Sequence, residues 1–281
     1  MNRTPQTNQS PQEMATADPL LRIEDLSIDF RLGSGTVHAV RGVGLDLHAG
    51  ETLAVVGESG SGKSATMLSV LRLNPEPPCE YTAGRVVLDG RDLLALPEKE
   101  LREVRGNDVA MVFQDPMTSL DPLQRVGNQV AEVLRRHRGA TRAEARAEAV
   151  RALDEVGIPE PERRARQYPH ELSGGLRQRV MIATALVGRP RILIADEPTT
   201  ALDVTVQRQI LELLDELRDR HGMAVVLITH DLGVVAETAD RVVVMHHGQV
   251  VETGAVADVF ENPEQDYTRR LLAATPRLES A

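Results

Sequence analysis

Gly57-Glu-Ser-Gly-Ser-Gly-Lys63-Ser64 follows directly on the short apolar run Thr52-Leu-Ala-Val-Val56 and precedes a helix-forming stretch over residues 64–73. The pattern fits G-x-x-x-x-G-K-[ST] in the strand–loop–helix setting that gives it meaning. Glycines let the backbone curl until successive N–H groups face one point, where they attract phosphate oxygens. On that reading Gly57, Glu58, Ser59, Gly60, Ser61 and Gly62 form a phosphate cradle. Lys63 reaches the β- and γ-phosphates, and the Ser64 hydroxyl ligates Mg²⁺. The bland alternative is a Gly/Ser-rich turn, which the flanking strand and helix argue against.

Downstream, Arg191-Ile-Leu-Ile-Ala-Asp196-Glu197 reads as a buried parallel strand carrying two carboxylates at its C-terminal edge, where α/β sheets place ligands. Asp196 is the candidate Mg²⁺ ligand and Glu197 the candidate general base toward an attacking water. Gln114 follows the apolar run 109–113, in reach of a metal or of that water, and alone it would be a surface glutamine. His230 ends the run 224–229 and can hydrogen-bond a γ-phosphate; His246 and His247 end a later strand and read as structural. Asp203, in Thr200-Ala-Leu-Asp203, fits a helix N-cap, a contact to a partner subunit, or both.

Between loop and acidic strand lies Leu172-Ser-Gly-Gly175, opening another helix. Bare N–H groups at a helix N-terminus also attract an anion. The chain already has one phosphate loop, so a second reader at Ser173, Gly174 and Gly175 implies that two subunits meet, each reading the nucleotide held by the other.

Strands are expected over residues 21–30, 37–47, 85–88, 109–113, 192–195, 224–229 and 241–245, with helices over 206–218 and 232–236. This alternation in the C-terminal half implies a parallel sheet covered by helices. Residues 126–157 are rich in Ala, Arg and Glu, and read as two helices with Gly139 as stop and Thr141 as N-cap. The stretch at about 116–171 thus reads as a helical insertion. Residues 1–19 read as a polar, disordered leader, in which Met14 offers an alternative start.

Composition narrows the function further. The 281 residues carry a formal net charge of −10 and only 2% aromatics, without Trp. Basic surfaces and stacking rings, the usual means of holding nucleic acid, are therefore both scarce. The one cysteine, Cys79, excludes an intrachain disulfide, and no run approaches the roughly 20 apolar residues of a membrane-spanning helix.

Taken in order, the loop, Gln114, Leu172-Ser-Gly-Gly175, Asp196-Glu197, Asp203 and His230 resemble the nucleotide-binding subunit of ATP-binding cassette (ABC) transporters, over about residues 21–275. The resemblance implies an α/β P-loop NTPase fold: a RecA-like core, an antiparallel β portion near the N-terminus and an inserted helical subdomain, together spanning residues 20–260. It implies ATP and Mg²⁺ as cofactors, and two cassettes sandwiching two ATPs, each between the loop of one subunit and the Ser-Gly-Gly turn of the other. Phe113-Gln-Asp-Pro-Met-Thr-Ser-Leu-Asp-Pro122 and the tail segment of residues 261–281, which includes Glu261-Asn-Pro-Glu-Gln-Asp-Tyr-Thr-Arg-Arg-Leu-Leu, are similar to the ATPases of oligopeptide, dipeptide and nickel importers. The implied protein is an ATPase peripheral to the cytoplasmic face of the membrane. Its implied partners are a related but different cassette, two transmembrane permease subunits and, indirectly, an extracytoplasmic substrate-binding protein. Peptide is the favoured cargo over nickel or another small solute.

Two departures stand out. The position where many cassettes stack an aromatic on adenine falls on Ser34, with Phe30 and His38 as nearby rings. The cysteine-bearing extension that follows this tail in many relatives is missing, so no iron–sulfur cluster is expected. The competing class is a cassette ATPase acting on DNA or ribosomes. It would bring a long coiled coil before residue 171 or a second cassette, and the sequence has neither. An exporter cassette is the third reading, opposed by the tail and by residues 113–122.

Overall fold

The computed structural model describes residues 18–200 and 202–274. The expected leader up to residue 17, Met14 included, and residues 275–281 of the tail lie outside the described residues. The first described elements form a long hairpin, β1 (Leu21–Leu32) and β2 (Gly35–Leu47). On β1 the buried residues switch phase, from Leu21 and Ile23 to Leu26 and Ile28. A strict two-residue period would point one pair outward. The strand keeps both inside by an irregularity in register between Ile23 and Leu26, with Asp25 at φ 50°.

β3 (Thr52–Val56) leads through the glycine-rich loop to α1 (Lys63–Val70). β4 (Cys79–Leu88) and β5 (Arg91–Asp92) extend the hairpin into a four-stranded antiparallel sheet, ordered β2-β1-β4-β5. α2 (Glu98–Val104) and β6 (Val109–Val112) follow, then α3 (Pro116–Ser119), α4 (Val126–Arg138), α5 (Arg142–Glu155), α6 (Pro161–Arg164) and α7 (Gly174–Leu186). The remainder alternates: β7 (Ile192–Asp196), α8 (Val204–His221), β8 (Ala224–Ile228), α9 (Leu232–Thr238), β9 (Arg241–His246), β10 (Gln249–Ala255), α10 (Val256–Glu261) and α11 (Asp266–Ala274).

The second sheet runs β10-β9-β3-β8-β7-β6, and every pairing from β9 to β6 is parallel. Its central strands β3, β7 and β8 are buried along their whole length, as strands covered on both faces must be. One face, with Leu53, Val55, Ile192 and Ile194, packs with α1 and the antiparallel sheet. The expected mixed α/β fold, with an antiparallel β portion and a helical excursion, is borne out.

That excursion leaves the sheet after β6 and returns at β7, the neighbouring strand. α4 ends at Gly139, which takes the left-handed φ of 60°, and α5 begins with a capping box between Thr141 and Glu144. The helices do not form a core of their own. Val126, Val130 and Leu134 from α4 and Ala145, Ala149 and Leu153 from α5 join one apolar cluster with Val180 and Ile182 of α7 and Leu193 of the sheet. No described helix is long and apolar enough to cross a membrane.

Candidate functional site

All five parallel strands end at one edge of the sheet, and the loops after β3, β6, β7 and β8 gather there. The 57–64 loop is clasped from behind. A Cβ on Gly57 would lie 2.1 Å from the Met245 carbonyl oxygen, and one on Gly62 would lie 2.6 Å from that of Ala39. These contacts, with φ values of 146° and 101°, admit only glycine. The Gly248 N–H donates to the Ser61 carbonyl at 3.0 Å, tying the loop to the β9–β10 turn.

Lys63 is buried, and its ammonium donates to the carbonyls of Gly57 (2.7 Å) and Glu58 (2.9 Å). Burial holds its pKa below the ordinary lysine value, against the opposing pull of Glu197 and Asp196. The Ser64 hydroxyl donates to Asp196 Oδ1 at 3.2 Å. Burial also pushes the Asp196 carboxyl up, opposed by that hydrogen bond and by Lys63. Ser61 Oγ is buried in the loop and has no hydrogen-bond partner among the described residues.

Glu197 sits one residue past the end of β7 in the left-handed region, at φ 44°, with its N–H donated to the Ile228 carbonyl at 2.9 Å. Such a backbone state is costly for glutamate and turns its side chain out of the strand's alternation into the loop cluster. Three elements converge on its carboxylate. Oε2 accepts from Gln114 Nε2 and from Thr200 Oγ1, each at 2.8 Å, and Oε1 lies 3.3 Å from His230 Nδ1. The structure therefore brings Lys63, Ser64, Gln114, Asp196, Glu197 and His230 together. Thr200 is the member that sequence reasoning missed. Its signal was a hydroxyl residue three positions after an acid across a proline turn, closed by Thr200 N–H to the Glu197 carbonyl at 3.2 Å.

Ser173, Gly174, Gly175 and Asp203 lie apart from this network. The Ser173 hydroxyl accepts from the Leu176 N–H at 3.4 Å and caps α7. Asp203 Oδ1 accepts from the Val206 N–H at 3.0 Å and caps α8, the bland half of its sequence reading. The two caps are neighbours, since a Cβ on Gly175 would lie 2.9 Å from Val206 Cγ1. Gly174 is different, because a Cβ there would meet only Leu202 Cδ2, at an ordinary 3.8 Å, and Ser173 and Gly174 are exposed. Of the three residues near the expected adenine position, Ser34 is exposed in the β1–β2 turn. Phe30 packs against the core, and His38 is bound through Nδ1 to Asp29 at 2.8 Å.

The ABC transporter family profile matches residues 40–200. The peptidoglycan transport ATP-binding protein YejF of Agrobacterium fabrum is 57% identical over 93% of this chain, which spans 48% of that protein. The oligopeptide transport ATP-binding protein OppD of Bacillus subtilis is 53% identical over 93% of this chain and 73% of its own length. This chain thus covers about half of the first relative and about three-quarters of the second. Among solved structures, the dimeric post-hydrolysis state of the ATP-binding cassette MJ0796 bound to ADP and Pi superposes with a TM-score of 0.75. It is 32% identical, over 84% of this chain and 98% of that one. With the family profile covering more than half its length and such relatives matching nearly all of it, the chain belongs to the ABC transporter family.

Proposed function

We propose that this protein is the ATP-hydrolysing subunit of a peptide importer, working as one of two cassettes docked on a pair of membrane permease subunits at the cytoplasmic face. The observation that carries the reading is the contrast between Gly57 and Gly174. Gly57 is required by its own chain, whereas nothing among the described residues opposes a side chain at Gly174. An exposed, capped helix N-terminus with a bare backbone suits a phosphate brought by another subunit. The relatives named for oligopeptide and peptidoglycan transport, and the dimeric cassette of the same fold, support the same conclusion.

ATP would lie with its phosphates in the 57–64 loop, where Lys63 and the N–H groups neutralise charge. Ser64 and Asp196 fit Mg²⁺, since they set a hydroxyl and a carboxylate side by side and leave further positions for water and phosphate oxygens. When bound, the metal neutralises charge on the β- and γ-phosphates. Gln114, already bonded to Glu197, stands where it can join either the metal or the water. Glu197 takes a proton from the water as its oxygen bonds the γ-phosphorus, and the bond from that phosphorus to the ADP oxygen breaks. Gln114, Thr200 and His230 hold the carboxylate in place for that transfer. Ser173, Gly174 and Gly175 of one cassette, with Asp203 beside them, would close over the ATP of the other.

A groove of about 320 Å³ lies between sheet and helices, lined by Leu71, Leu73, Phe113, Leu120 and Met181, with Arg105 at its wall. Phe113 adjoins Gln114, so a permease loop seated in the groove would reach the Glu197 network through one peptide bond. The decisive experiment is copurification with the permease subunits, followed by ATPase assays with a peptide-loaded binding protein. ATP turnover stimulated by the loaded binding protein is expected, and native mass spectrometry should show a second, different cassette. Turnover indifferent to permease and binding protein would overturn the transport reading.

A further inference from the structure

The C-terminal helix reaches back to the glycine-rich loop. The Glu58 N–H donates to the hydroxyl of Tyr267, on α11, at 3.1 Å. This bond spans 209 residues of the chain and joins the first residue after Gly57 to the last described helix. Tyr267 is buried, in one cluster with Val56 of β3 and with Val242 and Val244 of β9. Its ring stacks on His246, with centroids 3.9 Å apart and planes inclined by 23°. The start of α11 is also fixed, because the Glu252 carboxylate accepts from the N–H groups of Glu264 (2.7 Å) and Gln265 (3.1 Å). Ring, hydroxyl and helix start are thus held on three sides. Burial raises the pKa of the Tyr267 phenol above its ordinary value, so it stays neutral through the working range.

The Lys63 ammonium and the Ser61 N–H hold the Glu58 carbonyl from within the loop, and the Gly248 N–H holds the Ser61 carbonyl from its far side; Tyr267 is what holds the Glu58 N–H. The N–H groups that meet the phosphates must be in place before these arrive, and any disorder in the loop is subtracted from affinity. Glu58 is exposed, so without the tyrosine its N–H would face water and the start of the loop would lose its anchor to the helix at 266–274.

We propose that Tyr267 is a positioning residue for nucleotide binding, whose hydroxyl fixes the start of the 57–64 loop at Glu58 and so makes ATP and ADP affinity depend on the C-terminal helix. The proposal rests on the loop being the nucleotide site. Among the described residues no hydrogen bond joins Glu58 or Tyr267 to Glu197, whose carboxylate takes the proton of the attacking water. Loss of the hydroxyl therefore weakens both nucleotides alike and spares the chemical step.

The test compares Tyr267→Phe, which keeps the ring and its stacking, with the wild-type chain and with Lys63→Ala. Expected for Tyr267→Phe is a rise of about two- to ten-fold in the ADP Kd and in KM for ATP, the effect of one neutral hydrogen bond, with kcat nearly constant. His246→Ala, which removes the ring's support and leaves the hydroxyl, should give a smaller rise of the same kind. In nucleotide-free protein, amide hydrogen exchange at residues 57–64 should be slower in wild type than in Tyr267→Phe. Unchanged affinities in Tyr267→Phe, a loss confined to kcat, or an effect on ATP without ADP would overturn the proposal. An unprotected Glu58 amide in wild type would do the same, whether or not the variant folds. If Lys63→Ala binds ADP like wild type, the loop is not the nucleotide site and both readings fall. If Lys63→Ala loses ADP while Tyr267→Phe does not, the tyrosine proposal alone falls.

Discussion

The 57–64 loop and the Ser173-Gly174-Gly175 turn are both glycine-rich starts of helices, yet their own chain treats them oppositely. The loop is pressed against the carbonyls of Met245 and Ala39, bonded to Gly248 and Tyr267, and contains a buried lysine. The turn is exposed at Ser173 and Gly174, is capped by its own serine, and has room at Gly174 for a methyl group. Glycine in the loop answers to internal packing. Gly174 in the turn costs helix stability, because alanine is the better helix former, and nothing among the described residues requires it, whereas Gly175 sits close against Val206. The comparison separates a loop whose glycines its own chain requires from a turn whose Gly174 nothing described requires, the asymmetry expected if the turn serves a second subunit.

The sharpest way to break this division is at the carboxylate on the complete side. Glu197→Gln should retain ATP binding, lower turnover by about 10²- to 10⁴-fold as loss of a general base does, and accumulate ATP-bound dimers on size exclusion. Turnover at the wild-type rate would remove Glu197 from the role of base. Next in size is the open side. Gly174→Ala should leave the melting temperature unchanged or slightly raised, keep ATP bound to its own loop, and lower turnover by about ten- to a hundred-fold, the scale expected when transition-state donors are displaced. Ser173→Arg should act in the same direction and more strongly. Gly57→Ala should instead lose stability, since its Cβ cannot coexist with the Met245 carbonyl. If Gly174→Ala unfolds the chain as Gly57→Ala does, the turn is an internal structure and the contrast collapses.

Sequence alone was enough for the elements whose signal is local. β3, β7 and β8 announce themselves as apolar runs bounded by breakers, because a strand buried on both faces cannot tolerate polar alternation. The α4–α5 corner was equally plain, because Gly139 and the Thr141–Glu144 box act within one turn of chain. Other elements owe their state to partners far along the sequence. Residues 79–84 are largely polar or exposed and form the first half of β4 only because β1 pairs with them. The short helix α2 and strand β10 escaped notice for the same kind of reason. In the site, residues 57–64, 196 and 197 were legible from spacing, while Thr200 and Tyr267 were not. Each acts through a contact that appears only once strand ends and the C-terminal helix are brought to the loop.

Thr200 sharpens the complete side at a finer scale. Thr200→Val keeps the branched shape and removes one of the two hydrogen bonds on Glu197 Oε2, leaving that from Gln114. About a ten-fold fall in kcat is expected, with KM for ATP nearly constant, because the carboxylate is loosened and the loop untouched. A change in KM alone would place Thr200 in binding and not in positioning the base.

The smallest expected effect concerns stability, and it separates what the loop does when empty from what it does when filled. Burial raises the Asp196 pKa, so folding favours the protonated carboxyl. A group whose folded pKa lies above its unfolded value of 3.8 adds stability below that value and loses it as pH rises through the folded pKa. At neutral pH the nucleotide-free protein therefore carries a buried carboxylate that Ser64 and Lys63 only partly offset. Asp196→Asn keeps an oxygen for the Ser64 hydroxyl and removes the charge. Its melting temperature without nucleotide should exceed that of wild type by a few degrees at pH 7, about the shift that 1 kcal/mol produces in a domain of this size. The gain should shrink as pH is lowered through the carboxylate range, where wild type becomes neutral as well. Adding Mg²⁺ and ATP should reverse the order, since only the wild-type carboxylate gains from a metal. A variant less stable than wild type at pH 7 without nucleotide would mean that Asp196 is already compensated inside the chain, and that this side of the site is complete even before ATP arrives.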